Sequence, residues 1–548
     1  NVNSTPMSQR LLYNGNFLTM DADSSSADSV LTDRGRIKAL GSEARCRAAA
    51  TGAEETNLLG QTVVPGFIDP HGHFPDSGFL ALHRVDLSPP PLGSCSKMDH
   101  VLERLREKAR ETEPGDWVVG AMLNPAELAE KRFPTRDELD TVSRDHPVWL
   151  FHVSGHAGVA NSIALKFREV NSKSEDPKGG KFGRDPLTGK LDGLCEGMSA
   201  MGKMGDSEFQ ITYEKFLSAF SHAADEYLDH GVTLAQNAWA TKKLLGYFGQ
   251  IANESQPTID VMVLPAGFLE PRLTAGDLDI PLPRQDTGVF LGPRKIFIDG
   301  SFHLQTACLT KPYFRPYNGD PTHRCELSVS HKQMVARIGK LHDLGFQCHI
   351  HANGDAAADR ALDAIEEVQK GNRREDHRHT LIHSQNLRED QLDRMATSGV
   401  SVSFFPAHLH FFGDFHSSVT FGPDRVRTMC PTRWAEERGI RFTIHNDAQV
   451  TPTRPLHLIW CAVNRQSLSG KVIGKEQAVS PLRALRAHTI DAAWQVFQEH
   501  DRGSIEIGKR ADFAVLSGNP LADPENIHKI WVKETIVLGK TCNRSKEK

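Results

Sequence analysis

Two periods of apolar residues organise the chain. Eight short runs are apolar nearly throughout: VVPGFID (63–69), VTLAQNA (232–238), IDVMVLPAG (259–267), RKIFIDG (294–300), FQCHIHA (346–352), HTLIHS (379–384), VSVSFFP (400–406) and RFTIHND (441–447). Continuous apolar runs of this length suit strands covered on both faces, as in a parallel sheet. Between the later runs the period becomes that of an amphipathic helix, as in DAAADRALDAIEEVQK (355–370) and REDQLDRMATSG (388–399). Strand and helix alternating over eight units predict an α/β fold of the (β/α)8 barrel type.

The two ends of the chain read differently. LLYNGNFLTM (11–20) predicts a strand pair turning at Asn14-Gly15, and SVLTDRGRIKALG (29–41) another turning at Arg34-Gly35. GKRADFAVLSG (508–518) and KIWVKETIVLGK (529–540) have the same short-strand texture. The expectation is one small β domain composed of residues 1–65 and 502–548, and a barrel over 66–501. An insertion at about 118–200 follows the first barrel run. It begins near WVVGAML and PVWLFHV, continues in the helix-like HAGVANSIALKF (156–167), and ends in a loop rich in Lys, Gly, Asp and Pro (172–192). Long insertions in barrels shape the mouth of the site.

Composition narrows the class. With 39% hydrophobic and 24% charged residues the chain reads as an ordinary soluble enzyme. A net charge of −5 gives no reason to expect nucleic acid or an anionic membrane as partner, so a small-molecule substrate is expected. No apolar run approaches the roughly 20 residues that span a bilayer. The 9 cysteines are scattered without a CxxC pair, which reads as reduced thiols and a cytoplasmic protein. The chain opens on Asn1 and carries formal sequons at Asn3, Asn253 and Asn543, so a processed, secreted form stays open, as does a homodimer.

Histidine is the outlier, with 26 in the chain, several at the ends of apolar runs. Barrel active sites sit at the C-terminal ends of the strands. His71 and His73 close the first run, and strand positions i and i+2 share a face, so both imidazoles can hold one metal ion. Lys295 lies in the fourth run, His351 ends the fifth, His383 the sixth and Asp447 the eighth. A buried lysine tends to lose its proton. Its neutral amine can take up CO2 as a carbamate that bridges two metals. A carboxylate at Asp447 can take the proton of metal-activated water as it attacks a carbonyl, then pass it to a leaving nitrogen. His349, His379 and His445 read as hydrogen-bonded interior histidines. His303, just past the fourth run, is a candidate for the mouth. His408 and His410, in FFPAHLHFFGDF, read as pocket lining rather than a third metal site.

Taken together and in order, these stretches resemble a known family over nearly the whole chain. GRIKALG followed by VVPGFIDPHGH, PTRDELDTVSRDHPVWL, GHAGVANSIAL, RKIFIDGS with TACL and KPY, HANGDAAADRALDAIE, IHSQNL and GSIEIGKRADFAVL resemble the amidohydrolase superfamily. Within it they resemble the YtcJ-like amidohydrolases (amidohydrolase 3 type), which include N-substituted formamide deformylases. The resemblance implies a distorted TIM barrel, a small β-sandwich built from both termini, and one or two divalent metals, usually zinc. Carried over, His71, His73 and Asp447 bind the first metal and His351 and His383 the second. Lys295, if carboxylated, bridges a binuclear centre, and His156 contacts substrate; His303 and His408, read from their own positions, are further candidates for substrate contact. Two positions depart from the family. HNDAQV places His445-Asn446 where a small turn before Asp447 is common, and Ile382 stands where the sixth strand usually has an acid.

The expected function is hydrolysis of a C–N amide-type bond, in an N-formyl or N-acyl amine or a cyclic amide, with Asp447 as general base and acid. The same metals could instead serve decarboxylation, ester or lactone hydrolysis, or deamination, since one barrel hosts many chemistries. Six retained candidate ligands argue against a non-catalytic binding protein. The absence of a GxSxG motif argues against a serine nucleophile.

Overall fold

The computed structural model describes residues 9–204, 211–254 and 257–544. It divides into two compact units. One takes the chain up to Phe74, Ala223–Ile298 and the chain from Cys308 onward; the other takes Pro75–His222 and Asp299–Ala307.

In the first unit, strands form within each of the eight apolar runs. Phe67–Ile68, Val232–Ala240, Asp260–Pro265 and Val289–Leu291 make a sheet in which every pairing is parallel. Arg294–Phe297, Cys348–Ala352, Thr380–His383, Ser401–Phe404 and Phe442–Ile444 make a second sheet, also parallel throughout and in sequence order. A parallel bridge between Ala266 and Lys295 links the two. Parallel neighbours need a crossover, and helices supply it. Lys242–Glu254, His331–Asp343, Asp355–Gly371, Glu389–Ser398 and Thr432–Glu437 lie between successive strands. Helix Asp355–Gly371 shows why the period matters. Ala358, Ala361, Leu362, Ile365 and Val368 are buried along one stripe while Glu367 and Lys370 face water. Each buried Leu or Ile there stabilises by roughly 1.5–3 kcal/mol. Helix His331–Asp343 starts at a Ser330/Gln333 capping box, which satisfies two backbone N–H groups that the helix cannot.

Strands from both ends of the chain share one six-stranded sheet, ordered Lys540–Arg544, Val532–Val537, Phe513–Leu516, Thr62–Pro65, Asn16–Leu18, Ser26–Ala27. A four-stranded sheet runs Arg36–Gly41, Ser29–Asp33, Arg10–Tyr13, Glu54–Asn57. Leu12, Val30 and Ile37 of the latter and Phe17, Val63 and Phe513 of the former belong to one buried cluster. The Arg34-Gly35 turn forms the expected hairpin, and both residues have positive φ (49° and 78°), as a two-residue turn of the favoured hand requires. Asn14-Gly15 does not: the strands it joins belong to different sheets, so this turn is a corner. Gly15 is needed there because a Cβ would meet Leu58 at 2.7 Å and Phe17 at 2.9 Å.

The second unit carries a mixed six-stranded sheet, ordered Lys181–Arg184, Leu191–Glu196, Ala157–Ala160, Val148–His152, Val118–Leu123, Val85–Asp86. Two expectations are corrected here. The helix-like run 156–167 is a strand, Ala157–Ala160, followed by a helix, Ser162–Phe167. Gly158 lies where a Cβ would meet Trp149 at 2.3 Å, and the Asn161 side chain ends the strand by capping the helix at the Ala164 N–H. The loop 172–192 contains the strand Lys181–Arg184 and runs into Leu191–Glu196. The reduced-thiol expectation also has an exception, a disulfide between Cys308 and Cys325. Cys46, Cys95, Cys195, Cys348, Cys430, Cys461 and Cys542 are free. Among the described residues no helix is long and apolar enough to cross a membrane. The Asn3 sequon falls outside the described residues, and the Asn543 sequon reaches beyond them at Ser545.

Candidate functional site

The C-terminal ends of the parallel strands in the first unit bring most of the candidate residues together. His71 and His73 do not lie in the strand itself, which ends at Ile68. They follow it in a turn. Asp69 Oδ1 accepts the His71 backbone N–H at 3.3 Å, and the His73 N–H donates to the Ala448 carbonyl at 2.9 Å. Gly72 has to be small, because a Cβ there would stand 2.3 Å from Asp69 Oδ2. The His-Gly-His pattern is therefore set by the closeness of Asp69, not by strand alternation.

Three imidazoles converge on Asp447. The Nε2 atoms of His71 and His73 each stand 3.3 Å from its Oδ1, and His383 Nε2 is 3.9 Å from its Oδ2. One donor atom from each of His71, His383 and Asp447 fits within 4.8 Å of the others. The His351 ring lies 4.8 Å from that of His383. Lys295 and Phe297 pair in register with His349 and His351 on the neighbouring strand. The Lys295 Nζ lies 5.1 Å from the Phe297 ring, whose centroid is 5.0 Å from that of His351.

Charge at this point is fixed by burial. Burial, with Lys295 next, pushes His71 well below the ordinary imidazole range against the pull of Asp447. His383 is pushed the same way by burial, with Asp447 again opposing. Burial also works against ionisation of Asp447, but His383, His71 and His73 outweigh it and hold its carboxyl well below the usual range. Lys295, 1% exposed and with no hydrogen-bond partner for Nζ among the described residues, is pushed down to about 7 by burial, with Asp447 opposing. Burial raises Asp69 to about 7. The result is an ionised carboxylate facing the neutral imidazoles of His71 and His383, with His71 Nδ1 buried and unbonded among the described residues. Imidazole nitrogens gathered on one point beside an anion fit a divalent cation of the nitrogen- and oxygen-binding kind.

His383 (φ 72°) and Asp447 (φ 50°) both hold left-handed backbone, unusual for residues other than glycine. Such strain costs of the order of 1–3 kcal/mol per residue and clusters at functional sites.

The chain matches the amidohydrolase family over residues 54–542. The chain belongs to the amidohydrolase family. It is a hydrolase acting on carbon–nitrogen bonds. It is 30% identical to the N-substituted formamide deformylase of Arthrobacter pascens, over 98% of both chains. It is 29% identical to the putative amidohydrolase YtcJ of Bacillus subtilis, over 97% of this chain and 98% of that one. A solved structure described as an uncharacterized metal-dependent hydrolase from Pyrococcus horikoshii superposes with a TM-score of 0.75 at 25% identity, covering 95% of this chain and 99% of that one.

The remaining candidates of this amidohydrolase divide by unit. His408 is buried in helix Ala407–Phe415; its ring lies 5.0 Å from Phe405, which is 6.2 Å from His383. His416 fixes it, with Nε2 2.8 Å from His408 Nδ1. His156 and His303 belong to the second unit. There they flank His152, which reading the sequence missed although it ends the strand Val148–His152. The His152 and His303 rings are 6.3 Å apart, and burial lowers His303 to about 4. His379 and His445 are hydrogen-bonded interior histidines, as expected. His349 is interior but not hydrogen-bonded: neither ring nitrogen has a partner among the described residues. Asp69 also went unread, and its signal was its place two residues before His71.

Proposed function

We propose that this chain hydrolyses a C–N amide-type bond of a small molecule, an N-formyl or N-acyl amine or a cyclic amide, with a divalent metal as cofactor and zinc as the first candidate. The observation that carries the reading is the convergence of His71, His73 and His383 nitrogens on the ionised carboxylate of Asp447. His71, His73 and Asp447 would hold one ion, and His351 and His383 a second. Lys295 would bridge them after its neutral amine attacks CO2, forming a carbamate N–C bond and releasing a proton. Its burial and lowered pKa of about 7 support that step. When bound, the metal would supply Lewis acidity to the scissile carbonyl and acidify the attacking water.

The protein's own residues do the rest. Asp447 takes the proton from the attacking water and delivers it to the leaving nitrogen, which must leave as a neutral amine. Its lowered pKa leaves it ionised, as a proton acceptor must be. Burial around His71, Lys295 and His383 excludes bulk water and strengthens each electrostatic contact. His408, buried beside Phe405, would contact the substrate. The fold reading is that the two parallel sheets, linked at Ala266–Lys295, form one distorted (β/α)8 barrel, and that the two sheets built from the chain ends form a small β-sandwich.

A panel of N-formyl amines, N-acyl amines, cyclic amides, lactones and aromatic carboxylates tests the reading. Release of amine from the amides is expected. Release of CO2 alone from the carboxylates would replace hydrolysis with decarboxylation.

A further inference from the structure

We infer that His445, anchored by Ser403, is the positioning residue that turns the Nε2 lone pair of His383 toward the metal; the inference rests on the metal reading above. His383 Nδ1 lies 2.9 Å from His445 Nε2, and His445 Nδ1 lies 2.7 Å from Ser403 Oγ. His445 and Ser403 are fully buried, so neither imidazole can exchange its partner for water. The row hydroxyl–imidazole–imidazole ends at the atom that faces Asp447.

The direction of each bond follows from the one before it. A neutral imidazole carries one N–H and one lone pair. For His383 to offer the Nε2 lone pair to a cation, its proton has to sit on Nδ1, and Nδ1–H then donates to His445 Nε2. That leaves the His445 proton on Nδ1, where it donates to Ser403 Oγ. A hydroxyl closes the row because it can accept. The opposite order would put a proton on His383 Nε2, aimed at the ion. Ring packing holds the arrangement: the His445 centroid lies 5.0 Å from both His71 and His383 and 5.1 Å from Phe405. Metal-bound histidines generally donate their other N–H to such a partner, and its loss typically weakens metal binding about 10- to 100-fold.

One of the two family departures seen in the sequence, His445, is this imidazole. His445 supplies the acceptor for His383 from just past the strand Phe442–Ile444. Catalytic activity is not required to see the effect.

The test titrates metal-free protein with zinc and, separately, with cobalt, reading the dissociation constant and the cobalt visible spectrum. His445→Leu should weaken binding about 10- to 100-fold and alter the cobalt spectrum. His445→Gln keeps an amide oxygen for His383 and an N–H for Ser403, and should recover most of the affinity. Ser403→Ala should weaken binding by a smaller factor. Wild-type affinity and an unaltered spectrum in a folded His445→Leu protein overturn the inference. If that variant does not fold, Ser403→Ala decides: reduced affinity supports it, unchanged affinity overturns it. Wild-type protein that takes up neither ion overturns the metal reading, and the inference falls with it. Wild-type and variant proteins that bind equally well overturn the inference alone.

Discussion

The strand Thr380–His383 carries a histidine at each end, and the two ends behave differently. Before the strand, His379 belongs to a cluster with His342 and His377 in which every ring nitrogen is satisfied. His342 Nδ1 meets His379 Nε2 at 2.9 Å and His342 Nε2 meets the Asn372 carbonyl at 2.7 Å. His379 Nδ1 accepts the Cys348 N–H at 3.0 Å; His377 accepts the His379 N–H and reaches the Ser398 carbonyl. At its other end, His383 joins a group with a buried carboxylate and, among the described residues, an unbonded lysine and an unbonded His71 Nδ1. Burial pushes His379 and His383 in the same direction. Depressed basicity therefore does not mark a site. Buried polar atoms left without partners around a charge do, because leaving such atoms unmet costs about 1–3 kcal/mol each unless a ligand meets them.

Four experiments break or sharpen that contrast. The largest effect is expected from Asp447→Asn, which should lower turnover about 10²- to 10⁴-fold by removing the proton acceptor, with the fold intact by circular dichroism. Retained turnover would remove Asp447 from the mechanism. Next, stripping the metal with a chelator should lower stability by about 2.7 kcal/mol if the ion had stood at a hundredfold excess over its dissociation constant, read as a drop in Tm that added zinc reverses. His379→Leu should do the reverse of Asp447→Asn. It leaves the Cys348 N–H and His342 unmet and should destabilise by about 1–3 kcal/mol in urea titrations, with metal content unchanged. A fall in metal content in folded His379→Leu protein would erase the distinction between the two ends.

The smallest effect is in pH. His342, His377 and His379 are all held below the ordinary imidazole value of 6.5, with burial the largest cause in each. The unfolded chain thus binds protons that the folded chain does not, and stability must fall as pH falls below about 6.5. The contribution is complete above 6.5 and lost toward the folded values; one such group gives a slope of at most about 1.4 kcal/mol per pH unit. Urea midpoints of metal-free protein between pH 7 and 5 should show the decline, and His379→Leu should flatten it. An equal slope in that variant would mean other groups carry it.

Reading the sequence located the strand ends because apolar runs and terminal polar residues are local signals. His351, His383 and Asp447 stand where the ends of their runs put them. His71 and His73 lie beyond the strand end rather than on it, since Asp69 and Gly72 shape the turn through a contact between side chain and backbone that spacing does not encode. The Asn14-Gly15 corner and the Arg34-Gly35 hairpin both turn on a glycine, but Arg10–Tyr13 pairs with Ser29–Asp33 and Glu54–Asn57 while Asn16–Leu18 pairs with Ser26–Ala27 and Thr62–Pro65, so the strands flanking the corner never pair with each other. The run 156–167 suits helix or strand until Trp149 selects Gly158 for a strand. His349 and His379 look alike in sequence, yet among the described residues one is unbonded and the other satisfied twice, because His342 arrives from a helix 37 positions away. The Cys308–Cys325 pairing, 17 residues apart, has no local pattern at all.

We propose above all that His71, His73 and Asp447 hold a metal ion. Crystals of zinc-loaded protein, measured on either side of the zinc absorption edge, test it directly. The account predicts an anomalous peak within about 2.0–2.2 Å of imidazole nitrogens of His71 and His73 and an oxygen of Asp447, with a second near His351 and His383 if Lys295 carries a carbamate. No peak there, or a peak only at surface histidines such as His331, would contradict it.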